Sequence, residues 1–256
     1  PAACRLRGRL PEFRESAMKK NDRIWELDAL RGFCIVCVIF VHFMFDLVYF
    51  LGKQVDFPPL YTFIQQYGGA IFVVLSGCCA TLGSRSFRRG VLVFGCGMLI
   101  TLVTFGMYRM GMAASDVVVK FGVLHLLGVC MMLYPLLKKL PTTALSVLAA
   151  AIVAIGYAIQ GMRFSVRWLF PLGFVYPGFT SSDFFPLLPQ LGWFLLGIVI
   201  GRTLYHEKRT LLPGTAQDFF LFRFFQWCGR QSLWIYLLHQ PVVYGLIELA
   251  VTLQKQ

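Results

Sequence analysis

Arg23-Ile-Trp-Glu-Leu-Asp-Ala-Leu-Arg-Gly-Phe-Cys-Ile-Val-Cys-Val-Ile-Phe-Val-His-Phe-Met-Phe-Asp-Leu-Val-Tyr-Phe-Leu51 is the stretch whose reading decides the fold. From Ala29 onward it is apolar over more than the roughly 20 residues that a helix needs to cross a bilayer. Only Arg31, His42 and Asp46 interrupt it. The rest of the chain agrees: 57% of its 256 residues are hydrophobic and 14% are charged, against about 45 to 50% and about 25% in soluble domains. Seven spans of roughly 20 residues would absorb about 140 positions, close to the hydrophobic total. With 25 Phe and a mean hydropathy of +0.68, this is neither an ordinary cytosolic enzyme nor a disordered chain. A secreted disulfide scaffold is excluded as well, because Cys34, Cys37, Cys78, Cys79, Cys96 and Cys130 lie in apolar runs, where a thiol acts as a small hydrophobe.

Apolar runs bounded by charge, Gly and Pro predict an all-α integral membrane protein with about seven transmembrane helices. They lie near residues 29–51, 60–82, 90–109, 117–137, 142–161, 184–204 and 231–253. With a cytoplasmic N-terminus, 17 of the 24 Lys and Arg fall on inside segments, among them Arg5, Arg7, Arg9, Arg85, Arg88, Arg89, Lys138, Lys139, Arg202, Arg223 and Arg230. Outside lie six: Lys53, Arg109, Lys120, Arg163, Arg167 and Lys255. The positive-inside rule then gives a cytoplasmic N-terminus and an external C-terminus. Membrane orientation thus accounts for the net charge of +12, and nucleic-acid binding is not needed to explain it.

Residues 162–183, rich in aromatics but interrupted by Pro171 and Pro177, are expected to form an external interfacial or re-entrant lid. Residues 217–227 read as an amphipathic helix on the inner surface. Residues 1–25 are a basic cytoplasmic segment without the apolar core of a signal peptide. Met18 is a candidate natural start, which would make residues 1–17 a start-site artefact. Residues 26–256 then form one polytopic domain.

Titratable groups in hydrocarbon are costly and mark function by default. Here they are Arg31, His42, Asp46, His125, His239 and Glu248, with Asp183 at the outer end of the sixth span. Arg31, His42 and Asp46 share one stripe of the first helix, being eleven and four residues apart. His125 is expected at the depth of His42, roughly 12 to 14 Å below the outer surface at about 1.5 Å per residue. Structural alternatives stand beside each: His42 and Asp46 bonding each other, His125 bonding a neighbouring carbonyl, and His239 with Gln240 satisfying the carbonyl of Leu237 freed by Pro241. Gly197-Ile-Val-Ile-Gly201 fits the close-packing pattern of membrane helices, and Gly95-Cys-Gly97 is a weaker instance. Cys34 and Cys37 lack the second ligand pair of a zinc site.

The opening run to His42 resembles that of the bacterial relatives of heparan-alpha-glucosaminide N-acetyltransferase, in the wider transmembrane acyltransferase group. So do Phe72-Val-Val-Leu-Ser-Gly77, Phe121-Gly-Val-Leu-His-Leu-Leu-Gly128, Asp183-Phe-Phe-Pro-Leu-Leu-Pro-Gln-Leu-Gly-Trp193 and Gly229-Arg-Gln-Ser-Leu-Trp-Ile-Tyr-Leu-Leu-His-Gln-Pro241. The resemblance implies a multi-pass protein of the bacterial cytoplasmic membrane. It would transfer an acetyl or other acyl group from cytoplasmic acyl-CoA to an external, carbohydrate-like hydroxyl or amine, with no metal. The chain departs from the eukaryotic enzyme, which has Asn at the place of His42, Gln at that of His125, and a catalytic His in the loop after the first span. Residues 51–60 here contain no His.

The expected catalytic residues are His42 as general base, Asp46 orienting it, and His125 or Asp183 holding the acceptor or polarising the thioester. Arg85 and Arg88, with Arg31 and His239, are expected to bind the donor, the Arg cluster taking its phosphates. The alternatives are that this cluster only anchors topology, and that the buried His and Asp residues serve a proton-coupled transporter. The oligomeric state, a homo-oligomer included, is left open.

Overall fold

The computed structural model describes residues 24–51, 57–212 and 215–254. The basic segment before Ile24, Lys53 and the side chain of Glu248 lie outside the described residues. Eight α-helices are seen among them: α1 Trp25–Leu51, α2 Pro59–Leu82, α3 Ser86–Arg109, α4 Val123–Leu137, α5 Thr142–Ile159, α6 Leu187–Leu204, α7 Phe220–Arg230 and α8 Ser232–Gln254. Prolines set three of the starts, with Pro58, Pro141 and Pro186 capping α2, α5 and α6 in extended conformation. A proline ring fixes φ near −65°, and its missing N–H costs nothing where no carbonyl is available to accept it. Among the described residues, five helices are long and apolar enough to cross a membrane: α1, α2, α3, α5 and α6.

The expected fourth span departs from the sequence reading. After a 3-10 turn at Ser115–Val117, no helix covers residues 118–122; α4 begins at Val123, and the buried residues Val118, Val119 and Phe121 approach it as extended chain. Extended backbone survives at that depth only where protein satisfies its polar groups. Here Thr101 donates its hydroxyl to the Val119 carbonyl (2.7 Å), Thr104 Oγ1 accepts the Val119 N–H (3.1 Å), and the Phe185 N–H donates to the Phe121 carbonyl (2.9 Å). Phe121 and Phe184 form a parallel bridge. The segment before α6 is therefore stitched to the entrance of α4. Residues 162–183 hold a single 3-10 turn, Arg167–Leu172, and an aromatic cluster in which Lys120 Nζ lies 4.7 Å from the Phe179 ring.

The helices pack in pairs: α2 on α6, α6 on α5, α3 on α4, and α1 on α7. Glycine makes the first of these contacts possible. A Cβ on Gly77 would overlap the Phe194 carbonyl, and one on Gly197 would overlap the Val74 carbonyl, which is the close approach expected from Gly197-Ile-Val-Ile-Gly201. A second crossing joins α1 to α7. A Cβ on Gly32 would overlap the Phe225 carbonyl, and one on Gly229 the Asp28 carbonyl. The α7 helix, expected from residue 217 but helical from 220 after a 3-10 turn, buries Gln226, Cys228 and Gly229 against α1. It leaves Phe219, Phe220, Phe224 and Trp227 exposed, an apolar face suited to lipid.

Gly32→Ala should destabilise the protein by more than the roughly 1 to 3 kcal/mol usual for overpacking, because backbone must move to admit the methyl group. Gly95→Ala, with nothing within 4 Å of the new Cβ, should be neutral or gain up to about 1 kcal/mol of helix propensity. Thermal unfolding of both variants in the same detergent checks the contrast.

Candidate active site at the α1–α8 seam

The imidazoles of His42 on α1 and His239 on α8 lie side by side, ring centroids 5.1 Å apart and planes tilted by 54°. His239 Nδ1 is 2.7 Å from the Tyr236 carbonyl. A carbonyl only accepts, so Nδ1 carries the proton and Nε2 is left with its lone pair. That Nε2 is buried and has no partner among the described residues, in a side chain only 8% exposed. The neighbouring Gln240 donates Nε2–H to Asp46 Oδ2 (2.8 Å), and its own Oε1 is also buried without a partner. Two unmatched acceptors thus sit on adjacent residues of one helix. An unsatisfied buried acceptor costs roughly 1 to 3 kcal/mol, a cost that a hydroxyl or amine donor would remove.

Tyr236, one turn before His239, extends the cluster. Its hydroxyl donates to Asp183 Oδ2 (3.1 Å), which also accepts the Val123 N–H at the start of α4 (3.1 Å). The carboxylate lies so close to Gly122 that any Cβ there would overlap it. Asp183 therefore places an acceptor oxygen at the positive end of a helix. Burial pushes its carboxyl above the usual range, opposed by the Val123 and Tyr236 hydrogen bonds.

His125 serves the same helix terminus from the other side. Its Nδ1 accepts the Gly122 N–H (3.1 Å), which leaves Nε2 to donate to Thr101 Oγ1 at 3.3 Å, and the Thr101 hydroxyl in turn donates to the Val119 carbonyl. The ring is packed on Gly97 between Phe94 and Phe121. The structure thus brings His42 and Asp46 together with His239 and Gln240, and ties Asp183 to them through Tyr236. His125 stands apart, at the far side of the α4 terminus, on an extended entry rather than one regular span. Asp46 is bonded by Gln240 instead of orienting His42. His239 and Gln240 bond the Tyr236 carbonyl and Asp46 instead of the carbonyl of Leu237.

The basic residues divide as well. Arg31 reaches the thiol of Cys79. Arg85, left-handed at φ 60°, and Arg88 are exposed at the α2–α3 turn. His239 is not among them; it lines an apolar groove of about 470 Å³ whose other walls include Ile39, Trp227, Trp234 and Val242. Beside that groove lies a polar cavity of about 540 Å³, lined by Gln217, Asp218, Arg223, Gln226, Trp227 and Arg230. Sequence reading treated Arg223 and Arg230 only as topological charges. It quoted Tyr236 without assigning it a role, although the i, i+3 spacing to His239 puts both on one face. Gln190 Oε1 and Trp193 Nε1 on α6 are further buried polar atoms without partners among the described residues.

The profile of the heparan-alpha-glucosaminide N-acetyltransferase catalytic family matches residues 23–241. The chain belongs to that family. No significant match to it was found among curated proteins or among solved structures. Membership in the heparan-alpha-glucosaminide N-acetyltransferase family, together with the five membrane-length helices, makes this a multi-pass membrane protein of an acyltransferase family. The matched region begins just before α1 and ends at Pro241, so it contains all of α1, the first part of α8 and both residues of the His42–His239 seam.

The geometry separates a supporting histidine from an available one. His125→Ala strips a cap and a buried bridge and should lower stability by roughly 1 to 3 kcal/mol. His239→Ala loses one hydrogen bond, to the Tyr236 carbonyl, and its ring contacts with His42 and Tyr236, but it strips no helix end and should lower the unfolding temperature less than His125→Ala does. Scanning calorimetry of the two purified variants decides between them.

Proposed function

We propose that this protein is a membrane-embedded acyltransferase that moves an acyl group, acetyl in the simplest case, from cytoplasmic acyl-CoA to the hydroxyl or amine of an external, sugar-like acceptor. The observation that carries the reading is the His42–His239 pair with its unpartnered Nε2, in a chain of an acyltransferase family. Seven crossings with a cytoplasmic N-terminus are part of the proposal. It is supported by helix ends that meet at one side of the bundle: Arg202 in the last turn of α6 donates to the Leu140 and Lys138 carbonyls after α4, and Glu26 on α1 accepts from Thr210 and Leu211. The basic residues gather at that same end.

His42 is the base that meets the acceptor. As the acceptor oxygen or nitrogen attacks the thioester carbonyl carbon, its proton passes to the imidazole pair, where the free Nε2 of His239 offers a second place for it. The carbon–sulfur bond then breaks, and the departing thiolate takes the proton to leave as CoA thiol. General-base help of this kind contributes about 10² to 10⁴ in rate. Asp46, through Gln240, fixes the seam. Asp183, through Tyr236, holds the carbonyl that sets the His239 tautomer, and His125 acts on the site by securing the start of α4.

The residues present fit an acyl-CoA donor. Arg223 and Arg230 line the polar cavity together with Gln217, Gln226 and the carboxylate of Asp218; Arg230 also contacts Asp28 (3.9 Å) and Gln226 (3.1 Å), and planar guanidinium forks suit phosphate. Arg85 and Arg88 add positive charge at the neighbouring α2–α3 turn, and Arg31 lies deeper.

Full-length protein in nanodiscs, given radiolabelled acetyl-CoA and an amino sugar, should release CoA and label the sugar. His42→Ala should lower turnover by about 100-fold or more while the fold persists. Unchanged turnover would remove His42 from the chemistry, and solute transport without CoA release would mark a transporter. Arg223→Ala with Arg230→Ala should raise KM for acetyl-CoA by about tenfold or more with little change in kcat, the signature of lost ground-state binding. An equal effect from Arg85→Ala with Arg88→Ala would shift the phosphate site to the α2–α3 turn.

A further inference from the structure

Acyl transfer leaves a proton to be removed and puts negative charge on the carbonyl oxygen, and a base meets only the first demand. The charged oxygen needs a hydrogen-bond donor already in place. Among the described residues, four buried side-chain polar atoms have no partner: Gln190 Oε1, Trp193 Nε1, His239 Nε2 and Gln240 Oε1. Two are amide oxygens, and His239 Nε2 holds a lone pair. An indole nitrogen can only donate, so Trp193 is the single donor in the set.

Register places this donor at the level of the imidazole pair. Tyr205, just past the end of α6, packs in one cluster with Ile24 and Leu27 at the start of α1, so the two helices run in opposite directions. The same cluster joins Cys34 of α1 and Cys78 of α2 to Ile200 of α6. From Cys34, eight residues along α1 lead to His42, about 12 Å away at roughly 1.5 Å per residue. From Ile200, seven residues back along α6 lead in the same direction to Trp193, about 10 Å away. Seven residues make nearly two turns, so Trp193 shares the stripe of Ile200, while His42 shares that of Arg31, which reaches Cys79 beside the cluster. Helical side chains lean toward their own N-terminus, which tips the indole further toward the level of His42. Trp193 and Tyr236 also pack against one hydrophobic core, and the Tyr236 ring lies 5.3 Å from that of His239, centroid to centroid.

We infer that the Trp193 Nε1–H stabilises the oxyanion formed during acyl transfer, which makes Trp193 a catalytic residue. The inference rests on the acyltransferase reading. As the acceptor nitrogen or oxygen bonds to the thioester carbon, the carbonyl π pair moves onto oxygen, and the indole N–H bonds to that oxygen without giving up its proton. The pair then returns to rebuild the carbonyl, the carbon–sulfur bond breaks, and the thiolate takes the proton held by the imidazole pair. An indole suits this task because it has no acceptor lone pair to repel the charge, and burial strengthens its bond to an anion. An acceptor such as Gln190 Oε1 would repel the same oxygen. An ordered water is the rival partner for the indole, and it predicts no dependence of the rate on which atom the carbonyl carries.

Full-length protein in nanodiscs is assayed for CoA release from acetyl-CoA and from its dithioester analogue, in which sulfur replaces the carbonyl oxygen, at fixed acceptor. Loss of one oxyanion donor lowers kcat by about 10² to 10³. Trp193→Phe, which keeps an aromatic ring and removes the N–H, should therefore lower kcat for acetyl-CoA by about 100-fold or more, with KM for acetyl-CoA nearly unchanged. Sulfur accepts hydrogen bonds weakly, so the ratio of the acetyl-CoA rate to the dithioester rate should be smaller in the variant than in wild type by about tenfold or more. Replacing Trp193 with benzothienylalanine, which exchanges N–H for sulfur in the same bicyclic shape, should reproduce both effects and separates the lost donor from a disturbed fold. Wild-type kcat in the benzothienylalanine protein, or a rate ratio equal to that of wild type, would overturn the inference while leaving acyl transfer standing. No CoA release from either donor by wild-type protein would overturn both.

Discussion

Every backbone N–H at the start of a helix needs a partner, and inside a bilayer water cannot be that partner. The start of α4 lies within the bundle, and two side chains meet its demand. His125 accepts from Gly122 and Asp183 accepts from Val123. Much of the site follows from that arrangement. Asp183 needs a second donor for the same oxygen and finds the Tyr236 hydroxyl, which sets α8 against the α4 terminus. Tyr236 in turn presents its carbonyl to His239, so the tautomer of the imidazole beside His42 is fixed by a chain of contacts that begins at a helix end.

The fold was legible wherever a helix had lipid on one side and punctuation at both ends. The runs at 60–82, 90–109 and 142–161 match α2, α3 and α5 to within four residues. The run at 117–137 was misleading because hydropathy sees only composition. Val118, Val119 and Phe121 are as apolar as any helix, yet their backbone is extended, held by Thr101, Thr104 and Phe185 from distant parts of the chain. No local pattern reports such partners.

The candidate site was half legible for a related reason. The cost of a charge in hydrocarbon singles out His42, Asp46 and His239 from sequence alone, and the stripe on α1 groups the first two. Which groups touch depends on how α8 crosses α1. Asp46 pairs with Gln240, a residue that carries no charge and so raises no flag in a hydropathy profile. Matched depth allowed His125 to meet His42; in the structure His125 instead bonds Gly122 and Thr101 at the entry to α4. The role of Arg223 and Arg230 was hidden by the positive-inside rule, which accounts for an inner-face arginine without asking whether it also lines a cavity.

The glycine crossings tie these parts into one unit. Gly32 meets Gly229 where α7 lies across α1, and α7 carries the arginines and Trp227 that border the polar cavity, while α8 follows at once with the imidazole. A single close contact thereby sets the distance between a phosphate-sized pocket and a buried base. The central claim is that His239 holds its proton on Nδ1 and keeps a free lone pair on Nε2 within the seam. Nitrogen-15 NMR of imidazole-labelled protein in nanodiscs, with His239 assigned by comparison with His239→Gln, tests it directly. The account predicts a neutral ring with the proton on Nδ1 near neutral pH. A proton found on Nε2 would contradict it, because the nitrogen offered to the acceptor would then already be occupied.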